Sequence, residues 1–446
     1  MCLLCKQINH AIRESIHEKF WSGFSDKKLL NLVKMRYFIL YIFFLSALGS
    51  CKTDKVKPLS IFSDVVPEKI ERDVRDMPVK GSAVDTIVVA DCDLKERLHV
   101  SSWVDSITYL SLDNREEALL GAINKVVCRK DAIYLLDRYK SKSIKKFSME
   151  GKFLTNIGTF GEAPEEYAEP TDFVVTDSLV IVYDQFTSRF IYYTLNGKYL
   201  RSCRLPFLCL RFHRFSEDNF VFCTLDADNQ HLASIEDYSI FRTDSLFVIK
   251  ERGFYRERGK YSSIISDYNF SELNGRLYYH SPYSGRIYEI DDDGTCRLAF
   301  FLDFGDRQVP ENLLLDKNWN EYKQASSSSG YYFFPGKYLL TDDVVYFAYA
   351  NHHKEYQCLY SLRRKEGIRS SVVRNDVLSI FPFSNLVGVE GHALIGYVYP
   401  NDIVVAREHY DAVQWTELVG EKAADIAKQF NEEDNMVLLW FHMKEK

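Results

Sequence analysis

The sequence predicts an all-β fold, a six-bladed β-propeller with four-stranded antiparallel blades. Three observations predict it. Strand-like runs follow one another almost without a break from Thr86 to about Tyr410. A unit of strand, Asp, polar loop, strand, Gly-Lys turn and strand begins at Asp131 ("DAIYLLDRYKSKSIKKFSMEGKFLTNIG") and recurs from Asp177 ("DSLVIVYDQFTSRFIYYTLNGKYLRS"), 46 residues later. Further copies begin at Asn274 and Asp342, and weaker ones near Asp218 and Gly391, so successive starts lie 41 to 68 residues apart. About 40 to 50 residues per four strands is what a propeller blade needs. Such a sheet has two faces to bury, and radial stacking buries both. Six starts imply six blades.

Taken in order, the N-terminus reads as an address. Lys34 and Arg36 precede the apolar run "YFILYIFFLSALG", Tyr37 to Gly49, which is shorter than the ~20 residues a spanning helix needs. A basic flank, a short apolar core and small residues make a secretory signal. Leu48-Gly49-Ser50-Cys51 has the order of a bacterial lipobox, which makes Cys51 the lipidated first mature residue and puts signal peptide at 35–50. An ordinary signal peptide with an incidental Cys51 is the alternative. Because such signals act from the extreme N-terminus, residues 1–34, with their lone Cys2/Cys5 CxxC, read as an over-extended gene start ahead of Met35. From 51 to 85 the charged, aperiodic composition reads as a tether. The propeller is expected over 86–446.

Within it, Leu313, Leu314 and Tyr322 suggest a helical insertion near 309–330, followed by "SSSSG", a decoration between blades or a lid over one end. Val419, Ala423, Ile426, Ala427 and Phe430 have helical spacing, and a closing strand follows. The ring is expected to close by pairing "SITYLSLD", Ser106 to Asp113, with "MVLLWFHM", Met436 to Met443.

The stretch "GTFGEAPEEYAEPTDF", Gly158 to Phe173, is the connection from the last strand of one blade to the first of the next. Gly158 and Gly161 permit turns with positive φ, and Pro164 and Pro170 stop strand pairing. A phosphate-binding loop would need a helix to follow, and a strand follows instead. The stretch resembles the NHL-repeat connector, in which Gly-x-x-Gly and Pro-Gly-Glu-Phe/Tyr lead into a strand. From about Ile107 the whole chain resembles the six-bladed β-propeller lipoproteins of the Bacteroidetes, through "ITYLSLD", this connector, "SPYSGRIYEID" and "EEDNMVLLWFHMK". It departs at Glu165, where those proteins usually carry Gly. The resemblance implies the propeller and an outer-membrane, lipid-anchored place in the cell envelope. It implies no particular ligand, since fold does not imply function.

Net charge is −7 with both signs interspersed, and no Lys/Arg block exists, which argues against nucleic-acid binding. Glu162, Glu165, Glu166 and Glu169 could pair for acid–base work, but an exposed connector explains them better. Asp291-Asp292-Asp293-Gly294 lacks the spacing of an EF-hand and reads as a hairpin turn. The seven cysteines downstream of Cys51, irregularly spaced, read as buried thiols, with a Cys203–Cys209 disulfide as the alternative. His280, His352 and His353 are weak metal candidates that would need ligands converging from other blades, such as His213 or His392; no metal or other cofactor is expected. Loops between second and third strands emerge on the same face as the inter-blade connections. Arg138, Tyr139, Phe160, Tyr167, Phe186, Arg189, Tyr283, His352 and His353 are therefore the candidate ligand-binding face, suited to stacking on a sugar or gripping a peptide. The expected function is a lipid-anchored envelope binding or scaffolding module for a glycan, a peptide or an envelope protein. The alternative is a metal-assisted lactonase or a polysaccharide lyase, for which too few ligands are legible.

Overall fold

The computed structural model describes residues 61–81, 85–225, 227–256, 269–281, 284–310, 313, 324, 328–351 and 354–444. The signal peptide, Cys51, Tyr283, His352 and His353 lie outside the described residues, as does most of the expected helical insertion. No described helix is long and apolar enough to cross a membrane.

Six antiparallel sheets of four or more strands form the blades among the described residues. In blade 1 the strands A to D are Lys125–Arg129, Ala132–Asp137, Ser143–Phe147 and Phe153–Asn156. Blade 2 comprises Pro170–Val175, Leu179–Asp184, Arg189–Thr194 and Tyr199–Arg204. In blade 3 they are Arg211–Ser216, Asn219–Cys223, Tyr238–Thr243 and Ile249–Tyr255, and in blade 4 Phe270–Leu273, Arg276–His280, Arg286–Ile290 and Cys296–Asp303. Blade 5 has a split strand A (Tyr332–Phe333, Tyr338–Leu340), then Val344–Asn351, Lys354–Ser361 and Glu366–Ser370. Each repeat start read from the sequence falls one or two residues before a strand B.

Blade 6 closes the ring. Its strands A and B, Gly388–Glu390 and Ala393–Val398, are completed by Val437–Met443 from the C-terminal end and Val104–Ser111 from the N-terminal side. The expected seam thus forms, in continuous antiparallel register from Val437 opposite Ser111 to His442 opposite Ser106. Asn435 fastens it: its Nδ2 donates to the Asp113 and Ala118 carbonyls (3.0 and 2.9 Å), and its Oδ1 accepts from Leu120 N at 3.2 Å.

Why these strands stack radially is visible in their side chains. Successive residues of a strand point to opposite faces. In strand B of blade 1, Ile133 and Leu135 pack with Ile395 and Leu438 of blade 6, whereas Tyr134 and Leu136 pack with Phe173 and Val182 of blade 2. The pattern repeats around the ring, giving one buried apolar cluster per blade boundary. The tyrosine content follows: rings fill these interfaces while hydroxyls hold a neighbouring blade's backbone. Tyr167 OH accepts from Ile144 N (3.1 Å), Tyr183 OH from Cys209 N (3.1 Å), and Tyr338 OH donates to the Tyr278 carbonyl (3.2 Å).

Two expectations need correction. The segment read as a tether is, from Ile61 onward, a strap on the propeller's outer edge. Glu71–Asp76 pairs in parallel with the last strand of blade 3, Val79–Lys80 and Asp85–Val88 with that of blade 4, and Asp93–Leu94 with that of blade 5. Its charges mislead because an edge strand buries only one side in three dimensions; the pattern of Glu71–Asp76 is mostly exposed. Outer strands left bare would invite pairing with other chains, and the strap covers three of them. Secondly, the C-terminal helix is three short helices, Pro400–Glu408, Ala412–Val419 and Glu421–Ala427. Asp411 starts the second with a capping box to Gln414, and Gly420, at φ +85°, breaks it from the third. They sit between strands B and C of blade 6, ahead of the closing strand as expected.

Candidate functional site

Two polar regions lie on the axis and on one end of the ring. The six strands A surround a central cavity of about 360 Å³. Its charged side chains come from inner strands, and most are paired across blade boundaries. Lys125 Nζ of blade 1 donates to Asp172 Oδ1 of blade 2 (2.7 Å) and to the Phe173 carbonyl (2.8 Å). Asp172, fully buried, also accepts from Phe212 N of blade 3 at 3.0 Å. His213 Nδ1 of blade 3 meets Glu272 Oε1 of blade 4 at 2.9 Å. Burial would raise the Glu272 pKa, but the His213 contact and the Lys125 and Arg129 charges outweigh it and hold the carboxyl at about 2. Trp440 Nε1 of blade 6 donates to Glu390 Oε2 at 2.7 Å. Burial first, then Glu390, pushes the Cys128 thiol of blade 1 up to about 12. A small polar molecule entering the cavity would meet both signs of charge.

Of these channel residues only His213 was singled out from the sequence as part of a site, as a supporting ligand for a metal. Their signal is charge inside otherwise apolar first strands ("KVVCR", "RFHRFS", "FSEL"), legible only once those strands are known to line an axis.

The second region is the end carrying the D-to-A connections and the B-to-C loops. At the boundary of blades 1 and 2 it presents Tyr139, Phe160 and Phe186, which are 53%, 59% and 65% exposed. The first two are flanked by cations: the Arg138 guanidinium lies 5.1 Å from the Tyr139 ring centre and Lys142 Nζ 5.2 Å from that of Phe160. Arg138 itself is buried and ties the two blades, its Nη2 donating to Gln185 Oε1 (3.0 Å) and lying 3.6 Å from Glu169.

Beneath these loops sit Asp137 and Asp184, the aspartates that close strand B in the two clearest repeats. Asp137 accepts four backbone N–H bonds, from Gly121, Ala122, Lys140 and Ser141 (2.7 to 3.2 Å). Burial opposes its ionisation, but those bonds, Ser141 first, lower its pKa. Asp184 accepts from Glu169 N (2.8 Å) and from Thr187 Oγ1. Both carboxylates are buried and build the loops; they face no ligand. His280 ends strand B in blade 4 one register position earlier, so its ring faces Phe334 of blade 5. It is fully buried, its Nε2 meets the Ser284 carbonyl at 2.9 Å, and burial pulls its pKa down to about 4.

The sequence candidates therefore divide. Tyr139, Phe160 and Phe186 stand together on one face, with Arg138 behind them. Tyr167 is a correction: it is wholly buried between blades 1 and 2, because its place in the connector turns the ring inward under Gly158. Arg189 is a support residue, donating to Thr187 Oγ1 (2.8 Å) and the Glu166 carbonyl (3.1 Å). His280 is a turn-holding residue. His213 and His392 pair with different carboxylates, Glu272 and Asp342, and no group of three or more His, Cys, Asp or Glu among the described residues is placed to hold a metal ion. In the connector, Gly158 has φ +71° as expected; Gly161 does not, and its missing side chain makes room for the Glu166 carboxylate. Asp291 to Gly294 is a hairpin turn, with Gly294 N donating to the Asp291 carbonyl at 3.0 Å. Cys203 and Cys209 are free thiols.

Three comparisons place the chain among known proteins. A family model described as a domain of unknown function, DUF4934, matches residues 84–442. No curated protein matches. Among solved structures, an exported-protein candidate from Bacteroides fragilis NCTC 9343 superposes with a TM-score of 0.63 at 18% identity, over 79% of this chain and 100% of that one. A member of the DUF4221 family from Bacteroides vulgatus is similar with a TM-score of 0.45 at 13% identity, over 76% of this chain and 97% of that one.

Proposed function

The chain belongs to the DUF4934 family, matched over residues 84–442, and from that premise we propose that it is a lipid-anchored binding or scaffolding module of the cell envelope. The observation that carries the binding reading is the set of rings Tyr139, Phe160 and Phe186, each more than half exposed on the same end of the propeller. Aromatic rings left in water on loops built by buried aspartates cost solvation and gain nothing in the fold, but stack well on sugar faces or on a peptide's side chains. Arg138, Glu169 and Gln185 behind them supply hydrogen bonds for orientation. The envelope reading rests on the signal-like run ending at Cys51 and on the similar Bacteroides fragilis protein being an exported-protein candidate.

The test is thermal unfolding of the full chain with a panel of glycans and of extended peptides. A ligand that binds only the folded state adds about 2.7 kcal/mol at a hundredfold excess over Kd. One class is expected to raise the midpoint of the wild type and to leave the Phe160→Ala/Phe186→Ala variant unmoved. An equal rise in that variant overturns the assigned face, and no rise with any ligand overturns the small-ligand reading. Globomycin-sensitive processing at Cys51, or its absence after Cys51→Ala, tests the anchor separately.

A further inference from the structure

We propose that Cys92 of the strap and Cys358 of blade 5 form a disulfide that fastens the strap to the propeller. The two residues are far apart in sequence, yet their sulfurs lie 3.7 Å apart, and the Cys358 thiol donates to Cys92 Sγ. Both are buried, at 3% and 0% exposure. Closing the bond requires Sγ–Sγ of about 2.05 Å and Cα atoms within about 7 Å, so the strap moves inward over the strand that separates the two cysteines as the bond forms.

The surrounding backbone brings Cys92 to that place. The strap turns at Val89–Asp91, with Cys92 N donating to the Val89 carbonyl at 3.3 Å, and then pairs Asp93 and Leu94 with Ile368 and Arg369. Arg369 Nε donates to the Cys92 carbonyl at 3.1 Å. That register sets Cys92 beside Gly367, on the strand between it and Cys358. A Cβ at Gly367 would lie 2.7 Å from Cys92 Sγ. Glycine there lets the sulfur pass over the intervening strand to reach the next one.

The chemistry is thiol–disulfide exchange with a small or protein disulfide as oxidant. Cys92 is the attacking sulfur, since it rides on the strap and reaches solvent when the strap lifts, an opening smaller than global unfolding. Cys92 Sγ attacks the oxidant's disulfide, which releases one thiolate and leaves a mixed disulfide. When the strap docks, Cys358 loses its proton and displaces the second thiolate. Two protons and two electrons leave the protein, and the oxidant departs as two thiols. The product holds the strap over the outer edges of blades 3 to 5. Such oxidants belong to the compartment proposed above, but the geometry does not depend on it.

The experiment uses the full chain in oxidised glutathione or in dithiothreitol, both folded and during refolding, followed by acid quench, alkylation and peptide mass spectrometry. Expected is a peptide pair joining Cys92 to Cys358 in oxidised samples, loss of both alkylatable thiols, and recovery of both on reduction. Cys92→Ser and Cys358→Ser each abolish the pair, and oxidised wild type is cleaved by protease within the strap more slowly than either. Full alkylation of both residues after oxidation, folded and refolded, overturns the proposal, as does pairing of either with another cysteine. A purified sample in a defined redox buffer makes this result independent of the envelope reading, which fails or stands on the processing of Cys51.

Discussion

His213 on the inner strand of blade 3 and Glu272 on the inner strand of blade 4 meet at 2.9 Å across the blade boundary. The pair is half open to the cavity, since the Glu272 side chain is 51% exposed, and yet the carboxyl is held at about 2. Cavity water touches it, while the Lys125 and Arg129 charges and the surrounding strands still act on it.

A carboxyl with a folded pKa below its unfolded value of about 4.3 stabilises the fold above that value and loses the contribution as pH falls toward 2. Discounted for the water it sees, the contribution is about 1 kcal/mol. Glu272→Gln is therefore expected to lower stability by that amount at pH 7 and to flatten the decline between pH 5 and about 2. Urea midpoints across that range decide it; parallel curves for variant and wild type would remove the pair from the account.

His280 has the opposite chemistry and the same sign. Burial keeps it neutral to about pH 4, whereas in the unfolded chain it takes up a proton near 6.5. Between those values the unfolded state binds more protons, so stability falls as pH falls, by about 3 kcal/mol over the whole window. His280→Gln keeps a donor near the Ser284 carbonyl and cannot titrate. Its stability is expected to decline less than that of wild type from pH 6.5 to 4, measured by thermal midpoints in matched buffers.

Asn435 is expected to be the most sensitive polar residue of the seam. Asn435→Leu leaves the Asp113 and Ala118 carbonyls and the Leu120 N–H buried without their partner, a loss of about 3 kcal/mol. Denaturant unfolding would read it as a lower midpoint with the slope retained. A loss below about 0.5 kcal/mol would mean that strand pairing from Val437 to His442 closes the ring unaided.

The repeat was readable because each strand B ends in the same local chemistry, a short apolar run followed by a residue that builds a turn. Asp137 and Asp184 are that residue in blades 1 and 2, while in blade 4 strand B ends on His280, one register position earlier. Seen only in sequence, His280 suggested a metal ligand because it ends a strand B next to the loop face; that the ring is buried and bound to the Ser284 carbonyl shows only in the fold. Tyr167 was misread for a related reason. A ring in a polar connector looks exposed until the connector's path over Tyr193 and Gly158 is known.

Along the chain alone, strand alternation and turn chemistry determined the all-β class, six blades, the strands that close the ring and the loops that share a face. These follow from local periods, which a sequence carries residue by residue. Only the tertiary structure decided that the charged segment from Ile61 wraps three blades, that charges from five of the six inner strands converge on one cavity, and that Cys92 meets Cys358. Each joins residues from different blades or from opposite ends of the chain. Charge and composition along the sequence say how a segment treats water, while its partner is chosen by the closed ring.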